Sequence, residues 1–109
     1  MPFFEARSQA DATDGVRLVV TGDLDLATAP RLTEVARAAV SSPGDIVTLD
    51  LSGVTFLDST GLGALLDLRK KVVGAGGRVQ VAAQSPAVAR VLDLAGLTEL
   101  FGVAAQDDA

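Results

Sequence analysis

Apolar and polar residues alternate along parts of this chain as they do in β-strands. Residues 3–8 and 16–21 each predict a strand, and a turn at Asp14-Gly15 predicts that the two strands pair as a hairpin. Residues 46–51 are almost continuously apolar, which is typical of a central strand covered on both faces. Residues 78–81 alternate polar with apolar and predict a half-exposed strand.

Three other segments have apolar residues three and four positions apart, the spacing of one face of a helix. The first follows Thr28-Ala29-Pro30, where a hydroxyl precedes a proline suited to the first helical turn. The second covers residues 61–73, and the third begins at Ser85-Pro86 and ends at Gly96. The spacing predicts that the following residues face inward: Leu32, Val35, Ala36, Ala39 and Val40; Leu62, Leu65, Leu66, Leu68, Val72 and Val73; Val88, Val91, Leu92 and Ala95.

The order of these elements predicts an α/β fold with a single mixed sheet of about four or five strands and helices in βαβαβα order. The chain has 109 residues, of which 49% are hydrophobic and 21% charged, as in a single globular domain. We therefore expect one domain over residues 1–109, with its core over about residues 16–101 and a short polar C-terminal tail. The short apolar segment 97–101 fits more than one secondary structure.

The composition excludes several kinds of chemistry. Cysteine and histidine are absent, so thiol catalysis, imidazole catalysis and Cys/His metal sites are excluded. The net charge of −5, with scattered basic residues, argues against a nucleic-acid partner. No apolar run approaches the roughly 20 residues that span a bilayer, and residues 1–10 lack the features of a signal peptide. We expect a cytoplasmic protein with neither a membrane nor a nucleic-acid partner.

One candidate for function is the segment 56–63, which lies between the predicted central strand and the second helix. Ligands and partners of α/β sheets usually bind at that end of the strands. Asp58 or Ser59 could also be an ordinary N-cap that accepts backbone N–H bonds. The residue types alone favour this structural interpretation.

A second candidate is the segment 21–25, in which Asp23 and Asp25 follow a strand. Paired carboxylates can serve as general acid and base or bind a cation. A solvated loop is the simpler interpretation, because a cation site would need more oxygen ligands. Asp50 lies within a predicted apolar strand. We expect it to be a structural residue that is hydrogen-bonded or faces the edge of the sheet.

Three stretches of the chain form an ordered set of motifs, which is more specific than any one of them alone. They are residues 49–63, with Asp-Ser-Thr-Gly near their centre; residues 22–25 together with 28–30; and residues 85–88 together with Leu92, Gly96 and Leu97. Over about residues 16–101 the chain thereby resembles the STAS domain, particularly the stand-alone bacterial anti-sigma factor antagonists. The first stretch looks like that family's phosphorylation motif, the second like its first conserved loop and the third like its last helix.

The resemblance implies a partner-switching cycle. An unmodified protein of this kind binds an anti-sigma factor that is also its serine kinase, so that the sigma factor is released. Phosphorylation of the serine that matches Ser59 ends the complex, and a PP2C-type phosphatase resets it. The resemblance implies these partner-binding residues around Ser59: Asp23, Leu24, Asp25, Asp58, Thr60, Gly61 and Leu62.

In that cycle the chain is a substrate and not an enzyme, because ATP belongs to the kinase. No catalytic residue, cofactor or metal is therefore expected in it, and the free protein is expected to be a monomer or a weak dimer. Thr60 is a competing phosphoacceptor. Two alternatives stay open: a STAS subunit of a stress-sensing or lipid-transport complex, or a small nucleotide-binding or hydrolytic protein that uses Asp23, Asp25 and Asp58.

Overall fold

The computed structural model describes residues 3–11, 15–40 and 42–102. Their elements, in chain order, are β1 (Phe4–Ala10), β2 (Val16–Leu24), α1 (Ala29–Ala39), β3 (Ile46–Leu57), α2 (Ser59–Gly74), β4 (Arg78–Gln84) and α3 (Pro86–Leu94). The predicted α/β class is confirmed. The predicted turn residue Asp14 and the polar tail lie outside the described residues.

The strands form one mixed sheet in the order β1-β2-β3-β4. β1 runs antiparallel to β2, as the predicted hairpin requires, while β2, β3 and β4 are parallel neighbours. Helices α1 and α2 make the two crossover connections between the parallel strands. The carboxyl ends of β2 and β3 therefore lie side by side, with Leu24 paired to Leu57.

Two strands continue past their predicted ends. In β2 the buried residues keep alternating through Gly22 to Leu24, whereas in β3 the alternation is lost after Leu51. The register of β2 against β3 shifts between Val19 and Thr21 and again between Gly22 and Asp23. β2 reaches Leu24, and β3 reaches Leu57. Asp23 and Leu24 belong to a strand, so the prediction of a solvated loop there was wrong.

Buried side chains from the sheet and the helices form one hydrophobic cluster. In β3 the successive residues Val47, Thr48 and Leu49 are all buried, which confirms a strand covered on both faces. Helices α1 and α2 pack against each other, whereas α3 packs against β3 and β4. The guanidinium carbon of Arg31 on α1 lies 5.1 Å from the centre of the Phe4 ring, which places Phe4 on the face that α1 covers.

The ends of the helices depart from the predicted inward faces. Val73 in the last turn of α2 is 42% exposed, and Ala95 follows the end of α3 and is also exposed, so the inward prediction was wrong for both. Side chains near a helix end have fewer neighbours from the next turn to cover them. Residues 97–101 form turns, and the buried Phe101 accepts a backbone hydrogen bond from Val81 N at 3.0 Å through its carbonyl.

Candidate functional site

Helix α2 begins with a carboxylate cap. The backbone of Asp58 is extended, with φ −106° and ψ −175°, as an N-cap requires. One carboxylate oxygen, Oδ1, accepts the backbone N–H of Gly61 at 2.8 Å, and the Asp58 carbonyl accepts Leu62 N at 2.9 Å. Asp58 is therefore occupied by the helix, as the structural interpretation of this segment predicted.

Ser59 is the first residue of α2, and its side chain is exposed to solvent. Thr60 follows and is exposed as well. The N–H groups at the start of a helix have no acceptor within it, because the carbonyls that would bond them lie before the helix. The exposed Ser59 side chain thus lies at the positive end of the helix dipole.

Gly61 allows the start of α2 to contact the end of β2. A Cβ atom at Gly61 would lie 2.3 Å from the carbonyl oxygen of Leu24, closer than any real contact. The same carbonyl accepts Asp58 N at 3.4 Å. The two segments singled out in the sequence therefore meet at one edge of the sheet.

Leu24 and Gly61 are both buried, and the Leu24 side chain has no exposed area. The Leu24 side chain and the glycine at position 61, which has no side chain, present almost no surface to a partner protein. We assign them a structural role in place of the direct contact that the family resemblance implied: they hold the beginning of α2 against the end of β2. Leu62 is half-buried and packs against the core cluster.

Asp25 organises the loop between β2 and α1. Its Oδ1 accepts the backbone N–H of Ala27 at 3.0 Å and of Thr28 at 3.1 Å. The Thr28 hydroxyl donates to the carbonyl of Asp23 at 2.7 Å and accepts Asp25 N at 2.9 Å. The Thr28 side chain does not cap α1, contrary to the expectation from the Thr-Ala-Pro sequence, because its hydroxyl is bonded to the loop before the helix.

Asp23 lies in a row of three residues across the sheet. Its N–H donates to the carbonyl of Phe3 at 3.2 Å, and it is the register partner of Phe56 on β3. Its carboxylate Oδ1 accepts the Thr55 hydroxyl at 2.7 Å. Since register partners share a face, Asp23 lies between two aromatic side chains on the face opposite Phe4.

Three apolar side chains at this edge are exposed and were missed as site residues in the sequence. Leu26 in the β2–α1 loop is 74% exposed, Phe3 is 63% exposed and Phe56 is 48% exposed. Exposed aromatic and leucine side chains close to one another are typical of a protein-binding surface. The available signal was a leucine directly after Asp25, in the loop between a predicted strand and the Thr28-Ala29-Pro30 helix start.

Asp50 lies away from this edge of the sheet. Ser52 donates to Asp50 Oδ1 through its hydroxyl at 2.6 Å and through its N–H at 3.1 Å. The Ser52 hydroxyl lowers the pKa of Asp50 below its usual value, partly opposed by desolvation, and the Ser52 N–H, Arg17 and Arg7 lower it further. This confirms the structural role predicted for Asp50.

In the part of the chain that the structure describes, no three acidic side chains are grouped closely enough to hold a metal ion. No helix of residues 3–11, 15–40 and 42–102 is both long and apolar enough to cross a membrane. The Asp23 carboxylate accepts a hydrogen bond from Thr55, and the Asp58 carboxylate accepts one from Gly61, so the two carboxylates have different partners.

The fold and the site define a small α/β domain that presents an exposed serine at a helix start, beside exposed apolar side chains. The family model of the STAS domain matches residues 7–108. The chain belongs to the STAS domain family.

Relatives of known role share most of the chain. The anti-sigma-B factor antagonist of Listeria monocytogenes is 26% identical over 91 residues, which cover 84% of this chain and 80% of that protein. The protein of the same name from Staphylococcus epidermidis is 30% identical over 90 residues, covering 83% of each. The similarity thus extends over nearly the whole length of these bacterial regulators.

Solved structures agree with these sequence relatives. An anti-sigma factor antagonist from Mycobacterium paratuberculosis is 30% identical and superimposes with a TM-score of 0.81, covering 97% of this chain and 89% of that one. The unphosphorylated anti-sigma factor antagonist SpoIIAA is 20% identical, with a TM-score of 0.72 over 95% of this chain and 91% of its own, and shares the fold.

Proposed function

We propose that this chain is an anti-sigma factor antagonist whose binding to an anti-sigma factor is ended by phosphorylation of Ser59. The observation that carries the proposal is the exposed Ser59 hydroxyl at the first position of α2, held beside the β2–α1 loop by Gly61. The names of the relatives support the anti-sigma factor as the partner. We further propose that this partner is the serine kinase, that a PP2C-type phosphatase reverses the reaction and that the cycle is cytoplasmic.

The kinase needs a hydroxyl that it can reach without unfolding its substrate. Ser59 satisfies this requirement, because its side chain is exposed and begins a helix instead of lying within a strand. Thr60 is also exposed and competes as acceptor. Position 59 is preferred because it is the serine that matches the family's phosphorylation motif, and it lies next to the half-buried cap Asp58, at the junction with the β2–α1 loop.

A phosphate at Ser59 is compatible with the fold of the domain. The free N–H groups and the dipole at the start of α2 favour a negative charge there by about 0.3–1 kcal/mol. Neighbouring carboxylates at Asp58 and Asp23 are bonded to Gly61 and Thr55 and need not rearrange. Phosphorylation therefore changes the surface and leaves the packing intact.

The same phosphate strongly opposes a protein interface. A like charge about 4 Å away in a partly buried contact costs up to about 4 kcal/mol at an effective dielectric constant near 20. A loss of that size weakens binding by roughly a thousandfold. Because this cost exceeds the local gain at the helix, the phosphorylated form dissociates without refolding.

Partner contact requires apolar area in addition to a serine, and this surface supplies it. Leu26, Phe3 and Phe56 are exposed at the same edge as Ser59 and offer anchors of the kind that carry most binding energy in interfaces. Asp23, between the two aromatic side chains, adds one half-exposed carboxylate. We assign these four residues, together with Thr60, to the anti-sigma factor contact.

The first experiment recovers the partner from the native cell. The tagged chain is used in pull-downs from lysate prepared with and without phosphatase treatment, and we expect an ATP-binding anti-sigma factor in the phosphatase-treated sample. Incubation of the chain with that partner and ATP, followed by phosphopeptide mapping, should place the phosphate on Ser59. An unmodified Ser59 would refute this assignment.

The second experiment measures affinity for the recovered anti-sigma factor. Ser59→Ala should bind like the unmodified wild type and stay bound in ATP, whereas Ser59→Asp should bind much more weakly, toward the thousandfold loss expected of the full phosphate. Thr60→Asp tests the competing acceptor, because it adds the same charge one residue away within the proposed contact, where we expect a smaller loss. Equal affinity of Ser59→Ala and Ser59→Asp contradicts the switch, and a larger loss for Thr60→Asp reassigns it to Thr60.

A further inference from the structure

Strand β1 forms one edge of the sheet, and among the described residues it pairs with β2 only. At the two ends of this ladder Asp23 N donates to the carbonyl of Phe3 at 3.2 Å, and Asp11 N donates to the carbonyl of Gly15 at 3.0 Å. Backbone bonds in an antiparallel pair recur at every second residue. The odd-numbered residues of β1 therefore bond to β2, and the even-numbered residues direct their N–H and C=O groups outward.

The outward edge of β1 has few of the features that prevent strand association. Within Phe4–Ala10 there is no proline and no lysine, and the register against β2 is regular along its whole length. The side chains after Phe4 are short or extended polar groups, and most of them are exposed. Another strand can therefore approach this edge.

The charges on β1 are self-complementary. Glu5 and Arg7 are exposed on the same face of the strand, and the small Ala6 lies between them. The Arg7 side chain donates to Gln9 Oε1 on its own strand at 3.3 Å, in an exposed contact. If two copies of β1 pair antiparallel with Ala6 opposite Ala6, Glu5 of each copy lies opposite Arg7 of the other.

We propose that two copies of this chain associate through β1, antiparallel and centred on Ala6, to form one continuous sheet. Phe4, Ala6 and Ser8 would then exchange backbone hydrogen bonds, because their N–H and C=O groups are the ones directed outward. Glu5 and Arg7 form pairs without backbone bonds, in which opposed side chains lie closest. An unrelated strand has no reason to carry the reversed order of charges, so a second copy is the partner that fits this edge.

This dimer leaves the Ser59 surface of each copy accessible. The two sheets run in opposite directions across the antiparallel β1 pair, so the carboxyl ends of β2 and β3 lie at opposite ends of the joined sheet. Each copy presents its own Ser59. The dimer does not involve Ser59, and of the proposed anti-sigma factor contacts only Phe3 lies beside it, opposite Gln9 of the other copy. The two proposals are tested by separate measurements, self-association and binding to the anti-sigma factor.

Sedimentation velocity over a concentration series of the full chain tests the dimer. The wild type should shift from its monomer mass of 11.1 kDa toward twice that value as concentration rises. Glu5→Arg and Arg7→Glu each place like charges opposite one another at two symmetric positions, and each should weaken association by at least about tenfold. The double variant Glu5→Arg/Arg7→Glu restores both pairs and should recover the wild-type behaviour.

A monomer at every concentration up to about 1 mM overturns the proposal, since a weaker association is not specific. A double variant that stays as weak as the single variants overturns the register. Ala6→Pro gives a second test, because it removes an outward N–H while the odd-numbered bonds to β2 remain. If Ala6→Pro is folded by circular dichroism and still dimerises like the wild type, the contact lies elsewhere. The charge variants, at exposed positions, decide the question if the proline variant does not fold.

Discussion

Asp58 and Ser59 are neighbours in the chain, but the Asp58 side chain is bonded to the helix and Ser59 is exposed to solvent. The Asp58 carboxylate is bonded to Gly61 N and begins α2, whereas the Ser59 hydroxyl faces solvent. A modification of Ser59 therefore leaves the cap in place. A change at Asp58, by contrast, removes a bond that is worth about 1 kcal/mol to the helix.

At the scale of single residues, Leu26 offers a test of the proposed contact surface. Leu26→Ala should weaken binding to the anti-sigma factor by about tenfold or more, because exposed apolar anchors next to a switch residue contribute strongly to interfaces. Leu94→Ala is the matched control, since Leu94 is 79% exposed, like Leu26 at 74%, but lies in the last turn of α3. Calorimetric titration measures both, and equal losses would show that Leu26 is not a contact.

The lowered pKa of Asp50 implies that the stability of the fold depends on pH. Its lowered pKa means that the folded chain favours the charged form, so the stabilisation is present above the unfolded value of 3.8 and is lost as pH falls through the lower folded pKa. Asp50→Asn should cost about 0.5–1 kcal/mol of unfolding free energy at neutral pH, as expected for a half-exposed hydrogen-bonded charge.

Urea unfolding at pH 7 and near pH 3 measures this effect for wild type and Asp50→Asn. The difference between them should shrink at the lower pH, because the unfolded wild type then takes up a proton at Asp50 that the folded form resists. Asp67→Asn, on the exposed face of α2, controls for the loss of one negative charge. A difference that is unchanged by pH would mean that the Ser52 contact does not favour the charged form.

At the scale of elements, the junction of β2 with α2 depends on a single missing Cβ atom. Gly61→Ala places that atom 2.3 Å from the Leu24 carbonyl, so the helix must move, at a cost of about 1–3 kcal/mol. This cost exceeds the gain of about 1 kcal/mol from replacing glycine by alanine in a helix. We therefore expect Gly61→Ala to lower both stability and affinity for the anti-sigma factor.

Gly63→Ala is the matched control within the same helix. A Cβ atom at Gly63 would have no neighbour within 4 Å, so this variant should gain about 0.5–1 kcal/mol from helix propensity. Thermal unfolding of the two variants separates close contact from propensity. If Gly61→Ala is as stable as Gly63→Ala, the contact with Leu24 is not tight.

At the scale of the whole molecule, one sheet presents two separate surfaces. The carboxyl ends of β2 and β3 carry the phosphoacceptor and its apolar neighbours, while the outer edge of β1 carries the self-complementary charges. The hydrophobic cluster lies between them and connects all four strands to the three helices. The two surfaces therefore lie at different edges of the sheet, and only Phe3 is next to both.

The sequence by itself determined the class of fold, the order of the elements and the segment that holds Ser59. These properties depend on periodic apolar positions and on local signals such as Ser85-Pro86, whose serine hydroxyl does accept Val88 N at 3.2 Å and caps α3. The motif from Leu49 to Gly63 also indicated the family, because the order of residue types in a motif can be recognised without knowing any interatomic distance.

Only the tertiary structure decided which residues of that segment are available to a partner. Leu24 and Gly61 have neighbours in sequence that are at least partly exposed, but both are buried because the end of β2 and the start of α2 lie against each other. Phe3 and Phe56 are far apart in sequence, and strand register brings them to either side of Asp23. Burial and register depend on contacts between distant parts of the chain, and a local pattern of residues does not contain them.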